Sequence, residues 1–364
     1  MNRYKVVLLT LLTVVFAMTS SGSVLATSPG DAAAQALAWL KTQQNDDGGF
    51  GSGFEPGSAV GPTADAILAI TSGGQDASTW TKGGASPIDY LRAQASAGKI
   101  QLPGEIAKTI LALVTTDQDP RAFGGRDLIA DLNSNFDASS GAYSFSMFDQ
   151  ALAILALSNA GEPVPDAAVT ALLSAQTVEG GWAFTGETVA GAADSNTTGL
   201  AVQALVAVGR KDDTGRAMDY FRRVQNADAG WTYQVPSAFG TDSDTNSTAL
   251  GIQAILATGD SVSNWAMGGS DPIGALLSLQ NADGSFSFQL TFPGQNALAT
   301  LQAIPALYGN TLARVNVVPA SGTSAPAVVL LPEAGGTFDT LWIGALGLVL
   351  VAAGVLARRR VRVS

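Results

Sequence analysis

A short turn recurs six times along this 364-residue chain, and no other feature restricts the possible folds so severely. In its clear form a Gln is followed three residues later by an acid, then by small residues, and six residues after the Gln by an aromatic. Four copies are regular: Gln44 to Phe50 with Asp47, Gln176 to Trp182 with Glu179, Gln225 to Trp231 with Asp228, and Gln280 to Phe286 with Asp283. Two worn copies, Gln94 to Ile100 and Asp137 to Tyr143, fill the gaps and give start-to-start spacings of 50, 43, 39, 49 and 55 residues. Self-similarity at such a period marks a repeat architecture, in which each unit buries its apolar face only against its neighbours. Six units of similar length close into a ring more naturally than they extend into a rod.

Each turn lies between two helical patterns. The segments before it, Ala32–Thr42, Pro87–Gln94, Arg126–Asn135, Asp166–Gln176, Arg216–Gln225 and Pro272–Gln280, mix apolar and charged positions as half-exposed helices do. Those after it, Thr63–Ile70, Glu105–Val114, Phe148–Leu157, Thr197–Val208, Thr248–Ala257 and Asn296–Leu307, are Ala-rich and apolar almost all round, which predicts burial. The pattern predicts an outer layer of the first set around an inner ring of the second. An apolar content of 46% supports a sizeable core, and only 13% of residues are charged, which suits close-packed helices joined by turns.

The turn resembles the QW repeat of squalene and hopene cyclases and the corresponding repeats of protein prenyltransferases. The resemblance implies an all-α, (α/α)6 toroid of six helical hairpins over residues 30–312. It also implies that the Gln amide ties successive helices together beside its aromatic. In every branch of that superfamily these repeats are structural, so they carry no activity of their own.

The chain has neither Cys nor His, which removes thiol nucleophiles, disulfides, imidazole bases and the usual zinc ligands. The zinc-dependent prenyltransferase branch and the thioester-containing branch are excluded on that ground, and neither metal nor cofactor is expected. The net charge of −11 becomes −16 without the six basic and one acidic residues of the two terminal segments, a balance that repels nucleic acid.

Polar groups collect where the inner helices begin. They include Thr63, Glu105, Asp149, Gln150, the run Asp194-Ser195-Asn196-Thr197-Thr198, the run Asp242-Ser243-Asp244-Thr245-Asn246-Ser247-Thr248, and Asn296. Aligning the fourth and fifth repeats superposes Asp194 on Asp244, Asn196 on Asn246 and Thr198 on Thr248. Gln203, Gln253 and Gln302 recur further into three inner helices. These side chains either cap helix N-termini or face a ligand at a shared mouth. The candidate binding set is Thr63, Asp149, Gln150, Asp194, Asn196, Thr198, Gln203, Asp244, Asn246, Thr248 and Gln253.

Three functions follow from resemblance or from the carboxylates. Class II terpene cyclases use an Asp-x-Asp-Asp run. Asp242-Ser243-Asp244-Thr245 matches two of its acids and puts Asp244 at the proton donor, but Thr245 replaces the third acid and the inner helices offer few aromatics for a carbocation. A glycosidase would draw an acid and base from Glu105, Asp149, Asp194, Asp242 and Asp244, with no spacing that selects a pair. The segments Asn196 to Leu205 and Asn246 to Ile255 resemble the Ser-Thr-Gly-Leu-Ala-Met-Gln-Ala-Leu stretch of the transcobalamin and intrinsic factor family, which implies a corrinoid as a candidate ligand. The favoured expectation is a non-catalytic protein that binds a small ligand or a surface partner at the inner-helix rim; the alternative is a cyclase-like enzyme with Asp244 as general acid.

The ends read as addresses. Residues 1–26 have the basic start, apolar run and small-residue cleavage site of a secretory signal peptide. Residues 313–336 read as an extended stalk, residues 341–357 as a membrane-spanning helix, and 358–364 as a basic cytoplasmic tail. Within the stalk, Leu331-Pro332-Glu333-Ala334-Gly335 resembles the Leu-Pro-x-Thr-Gly cell-wall sorting signal, with Ala334 in place of Thr. The resemblance implies a sortase as partner and a location on the cell surface, held by membrane or wall.

Overall fold

The computed structural model describes residues 28–237 and 240–321, and the signal, sorting-motif, spanning-helix and tail segments lie outside those residues. Among the described residues no helix is long and apolar enough to cross a membrane. Among the described residues twelve α-helices follow one another as six outer–inner hairpins in chain order: α1 (Pro29–Thr42) then α2 (Val60–Ser72), α3 (Pro87–Ser96) then α4 (Pro103–Thr115), α5 (Leu128–Asn133) then α6 (Met147–Asn159), α7 (Asp166–Ser174) then α8 (Ser195–Ala207), α9 (Gly215–Val224) then α10 (Thr245–Ala257), and α11 (Pro272–Leu277) then α12 (Ala297–Leu307). The even-numbered helices pack side by side in chain order, and α12 returns to α2, which closes the ring. Each later odd-numbered helix lies outside, against the inner helix that precedes it, while α1 packs on α12.

The inner helices are buried on nearly every face. In α8 and α10, ten of thirteen residues are buried, among them Ala201, Ala204, Ala249 and Ala254 at 0% exposure. Small side chains let the backbones approach: a Cβ on Gly199 of α8 would stand 2.9 Å from the Leu250 carbonyl oxygen of α10. Such helices draw their stability from packing rather than from an amphipathic stripe.

The repeated turn is the joint. In the regular copies the Gln Nε2 donates to the carbonyl four residues ahead: Gln44 to Gly48 (2.9 Å), Gln176 to Gly180 (2.7 Å), Gln225 to Ala229 (3.0 Å) and Gln280 to Gly284 (3.1 Å). The same amide reaches the next hairpin, from Gln44 to Trp80 O and from Gln225 to Trp265 O, both at 2.8 Å. Gln280 donates to Ala32 O, 248 residues away in sequence, and so stitches the seam of the ring. The aromatics Phe50, Trp182, Trp231 and Phe286 are at most 1% exposed. Trp182 and Trp231 also donate their indole N–H to Leu172 O and Phe221 O of their own outer helices.

The twelve predicted helices are all present. Of the inner ones, α2, α4, α8 and α10 begin two or three residues earlier than their apolar patterns do, because the residues before each apolar stretch already form the first helical turn, whereas α6 begins one residue earlier and α12 one residue later. Gln94 is a residue of α3 rather than of the turn that follows it. Residues 313–321, the predicted start of the stalk, instead lie across the C-terminal ends of the inner helices. Leu312 O accepts from Asn159 Nδ2, Val315 N donates to Asn159 Oδ1, and Val318 N and Ala320 N donate to Thr115 O and Thr116 O. The segment's Val, Pro, Ala, Ser and Thr content implies an extended chain and is silent on where that chain lies.

Candidate functional site

Since the inner helices run in parallel, their N-termini and the loops that feed them surround one mouth of the ring. The predicted binding residues divide there into two groups, one in the wall and one facing the axis.

Thr63, Thr198 and Thr248 belong to the wall. Each is the fourth residue of its inner helix, fully buried, and accepts at Oγ1 the backbone N–H of its repeat's aromatic: Phe50 (2.9 Å), Trp182 (2.9 Å) and Trp231 (3.1 Å). Thr300 does the same for Phe286. Gln150 holds that position in the third repeat, where Asp137 replaces the turn Gln, and it performs both tasks. Its Oε1 accepts from Tyr143 N at 2.8 Å, while its Nε2 donates to Gly141 O and Ala168 O as a turn Gln would.

Asp194 and Asp244 are also wall residues, each 1% exposed. Asp194 caps α8, accepting from Thr197 N at 2.7 Å and Phe184 N at 2.9 Å. Asp244 caps α10 through Ser247 N and Ser247 Oγ, both at 2.8 Å. Burial pushes both carboxyls up to about 7, against the backbone donors that favour the charged form. Asp242 is exposed and accepts from Thr291 Oγ1. Gln203 lies toward the far end of α8, where its Oε1 accepts from Leu312 N at 2.7 Å, and Gln253 is buried at the matching place on α10.

The axial group is smaller. Asn246 Nδ2 donates to Gln302 Oε1 at 2.9 Å, which joins α10 to α12. Asn196 matches Asn246 on α8, and its Oδ1 is buried without a hydrogen-bond partner. Across the ring, Lys108 Nζ meets Asp65 Oδ2 at 2.7 Å, which joins α4 to α2. Beside Lys108 stand Glu105 and Asp149. A Cβ at Gly104 would fall 2.3 Å from Asp149 Oδ1, so glycine there admits this carboxylate against the first turn of α4. Burial raises Glu105 despite backbone donors from Gln101 and Leu102, with the Asp149 charge adding to it. Burial raises Asp149 as well, opposed by the Ser144 hydroxyl and Lys108.

Below this layer the axis is closed. On the helical period, Asp65 and Lys108 share their stripes with Leu68 and Leu111, and Asn196 and Asn246 share theirs with Leu200 and Leu250. These leucines, with Leu152 of α6, are between 0% and 8% exposed. Beneath them lies a small cavity of about 20 Å³, lined by Leu68, Ser72, Thr115, Pro305 and Leu312 and covered by the C-terminal segment. The mouth is therefore a shallow bowl with a leucine floor, charged on the α2, α4 and α6 side and amide-lined on the α8, α10 and α12 side.

The rim carries aromatics that helix patterns did not reveal. Two residues after each repeat aromatic comes a second one in four repeats: Phe145, Phe184, Tyr233 and Phe288. The carbonyls of Phe184, Tyr233 and Phe288 accept from the first N–H of the preceding inner helix, from Met147 (2.9 Å), Ser195 (2.7 Å) and Thr245 (3.0 Å). The helix facing Phe145 opens with Pro103, which has no N–H to give, and Phe145 is 75% exposed. Phe54 and Phe292 are also exposed, at 60% and 64%. The aromatic-x-aromatic spacing was present in the sequence as a repeat within the repeat.

No protein-family model matches the chain, and no curated protein matches it in sequence. Solved structures do match in shape. An unsaturated glucuronyl hydrolase specific for heparin aligns with a TM-score of 0.54 and 10% identity over 77% of this chain and 96% of that one. A variant of the type II terpene cyclase MstE from Scytonema, in complex with geranylgeranyl dihydroxybenzoate, gives 0.53 and 14% over 77% and 97%. Haptocorrin in complex with Cbi gives 0.50 and 15% over 81% and 71%. Proteins that hydrolyse, cyclise and bind thus share this scaffold, and the likeness extends to the α/α-toroid architecture and no further.

Proposed function

We propose that this toroid is a non-catalytic binding module of the cell surface that holds a small ligand or a surface partner at the mouth formed by its inner-helix N-termini. The observation that carries this reading is the leucine floor. A polar bowl closed directly beneath Asn246 and Lys108 grips the end or the face of a ligand, whereas an enzyme that folds a polyprenyl chain needs depth. The cyclase-like alternative requires a proton from Asp244, and both oxygens of that carboxyl are engaged by Ser247 within the wall. A rim of neutral amides also suits a ligand that is itself covered in amides, which keeps a corrinoid among the first compounds to try.

The described chain leaves the body at the end opposite the mouth. If residues 341–357 span a membrane, or a sortase joins Ala334 to the wall, the bowl faces outward from the envelope. The test is thermal stabilisation of the purified chain by a corrinoid or by an extract of the host envelope. The expected result is a rise in melting temperature that Asn196→Leu with Asn246→Leu abolishes and Thr170→Ala, on an outer helix, preserves. No rise with any fraction, or a rise indifferent to the two asparagines, rules the reading out.

A further inference from the structure

We infer that the ligand of this mouth is a peptide that presents an Arg or Lys side chain to the bowl, with apolar residues on either side of it. This deepens the mouth-binding reading and rests on it.

The first support is the balance of donors and acceptors. Facing the axis or in the loops that feed the inner helices are six carboxylates, Glu55, Asp65, Glu105, Asp149, Glu187 and Asp242, against two lysines, Lys99 and Lys108. Lys108 is already committed to Asp65. Asn246 gives one of its two amide N–H groups to Gln302, and Asn196 Oδ1 is a buried acceptor without a donor. What the bowl has in surplus is negative charge, so its complement is positively charged and offers N–H donors to carboxylates. An ammonium or guanidinium group meets both requirements, and the carboxylate of an acidic sugar or the phosphate of a nucleotide meets neither.

The second support is the placement of the exposed aromatics. Phe145 stacks edge-on to Phe184 with ring centroids 6.3 Å apart, and Phe184 lies 6.4 Å from Phe148. This cluster belongs to the third and fourth repeats. Phe54 belongs to the first, and Leu290 and Phe292, each 64% exposed, to the sixth. In a closed ring of six, the first and sixth repeats are neighbours and face the fourth and third across the axis. Two apolar jaws therefore stand on opposite sides of an acidic bowl. Large exposed apolar side chains rimmed by polar groups mark an interaction surface, and aromatic faces favour a cation placed near them. A free diamine would fill the bowl and leave both jaws bare, whereas a peptide with apolar residues flanking a basic one covers all three.

The experiment uses the full chain in mild detergent and three capped nonapeptides with phenylalanine on both flanks and Arg, Gln or Glu at the centre, read by calorimetry at low salt. The Arg peptide is expected to bind at least tenfold more tightly than the Gln peptide, and the Glu peptide most weakly. Glu105→Gln with Asp149→Asn is expected to erase the preference, and Phe145→Ala with Phe292→Ala to weaken the Arg peptide several-fold. Asp137→Asn, on an exposed outer turn, is expected to leave it unchanged. Melting curves of each variant separate loss of binding from loss of fold. Equal affinity for the Arg and Gln peptides overturns the inference, as does binding of 1,4-diaminobutane as tight as that of the Arg peptide, which would make the ligand a small organic cation. If the asparagine variants abolish stabilisation by an envelope extract while the peptides are not distinguished, mouth binding stands and this inference alone is lost.

Discussion

At the scale of single residues, one position departs from the logic of its repeat. The fourth residue after the turn Gln or its replacement is a glycine at positive φ in five repeats, Gly48, Gly98, Gly141, Gly180 and Gly284, and at all but Gly98 a Cβ would fall 2.3 to 2.5 Å from a carbonyl oxygen of the next outer segment. The fifth repeat has Ala229 at φ 72°. Relieving that left-handed strain with Ala229→Gly is expected to stabilise the chain by about 1 kcal/mol, measured by denaturant unfolding. Gln150 is the opposite case. Its replacement by Ala strands the Tyr143 N–H and the carbonyls of Gly141 and Ala168, a loss expected at ~2–4 kcal/mol. The sequence showed Gln150 as one polar residue among several, and only the missing turn Gln at Asp137 hinted that it does double duty. The buried caps set a pH dependence. Asp194 and Asp244 titrate near 7 in the folded chain and near 3.9 when unfolded, so the folded state holds protons that the unfolded state releases. Their contribution is complete below pH 4 and is lost as pH rises to about 7. The melting temperature is expected to fall between pH 4.5 and 8. Asp194→Asn, which keeps the cap on Thr197 N without a charge and gives up the bond from Phe184 N, should reduce that fall. Unchanged pH slopes would contradict the assignment.

Among the elements, the hairpins were legible because two strong signals coincide: an Ala-rich apolar run that has to be buried, and a turn whose Gln, glycine and aromatic have separate tasks. The cap positions were legible only as one of two alternatives, since Asp194 and Asp244 stood in the candidate binding set and the structure makes them the N-caps of α8 and α10. What the sequence did not separate was wall from mouth. Thr198 and Asn196 are two residues apart in the same polar run, and the 100° step of a helix turns one onto the Trp182 backbone and the other toward the axis. A second recurring turn, the Gly-Gly pair at Gly83–Gly84, Gly124–Gly125 and Gly268–Gly269, carries no apolar or aromatic signal of its own. Its first glycine packs against a backbone carbonyl of the preceding repeat, with a Cβ at Gly83 only 2.0 Å from Asp46 O and one at Gly268 2.2 Å from Ala227 O. The seam and the C-terminal segment are the elements most open to test. Gln280→Ala removes the amide that bridges Gly284 O and Ala32 O and should cost ~1–3 kcal/mol, with hydrogen exchange accelerating first in α1 and α12. Asn159→Ala should release residues 312–315 from the C-terminal rim, seen as fast exchange at the Val315 amide with the inner helices still protected.

For the whole molecule, the ring was readable because six copies of one turn impose it, whereas the bowl emerges only when six helices that are distant in sequence are brought to one axis. Glu105, Asp149, Asn196 and Asn246 span 142 residues of sequence and share no motif. The leucine floor is equally hidden, since its members look like any other core leucine until their stripes are aligned. The proposed role of holder rather than converter rests on that floor, and the mouth is where the proposal puts the contact. Hydrogen exchange of the full chain with and without the host's envelope extract tests this most directly. The account predicts added protection in the mouth loops and the first turns of the inner helices, around Phe54, Glu105, Phe145, Asn196, Asn246 and Phe292, with the outer helices and residues 310–321 unchanged. Protection confined to the outer helices or to the C-terminal rim, or consumption of a component of the extract by the chain, would contradict it.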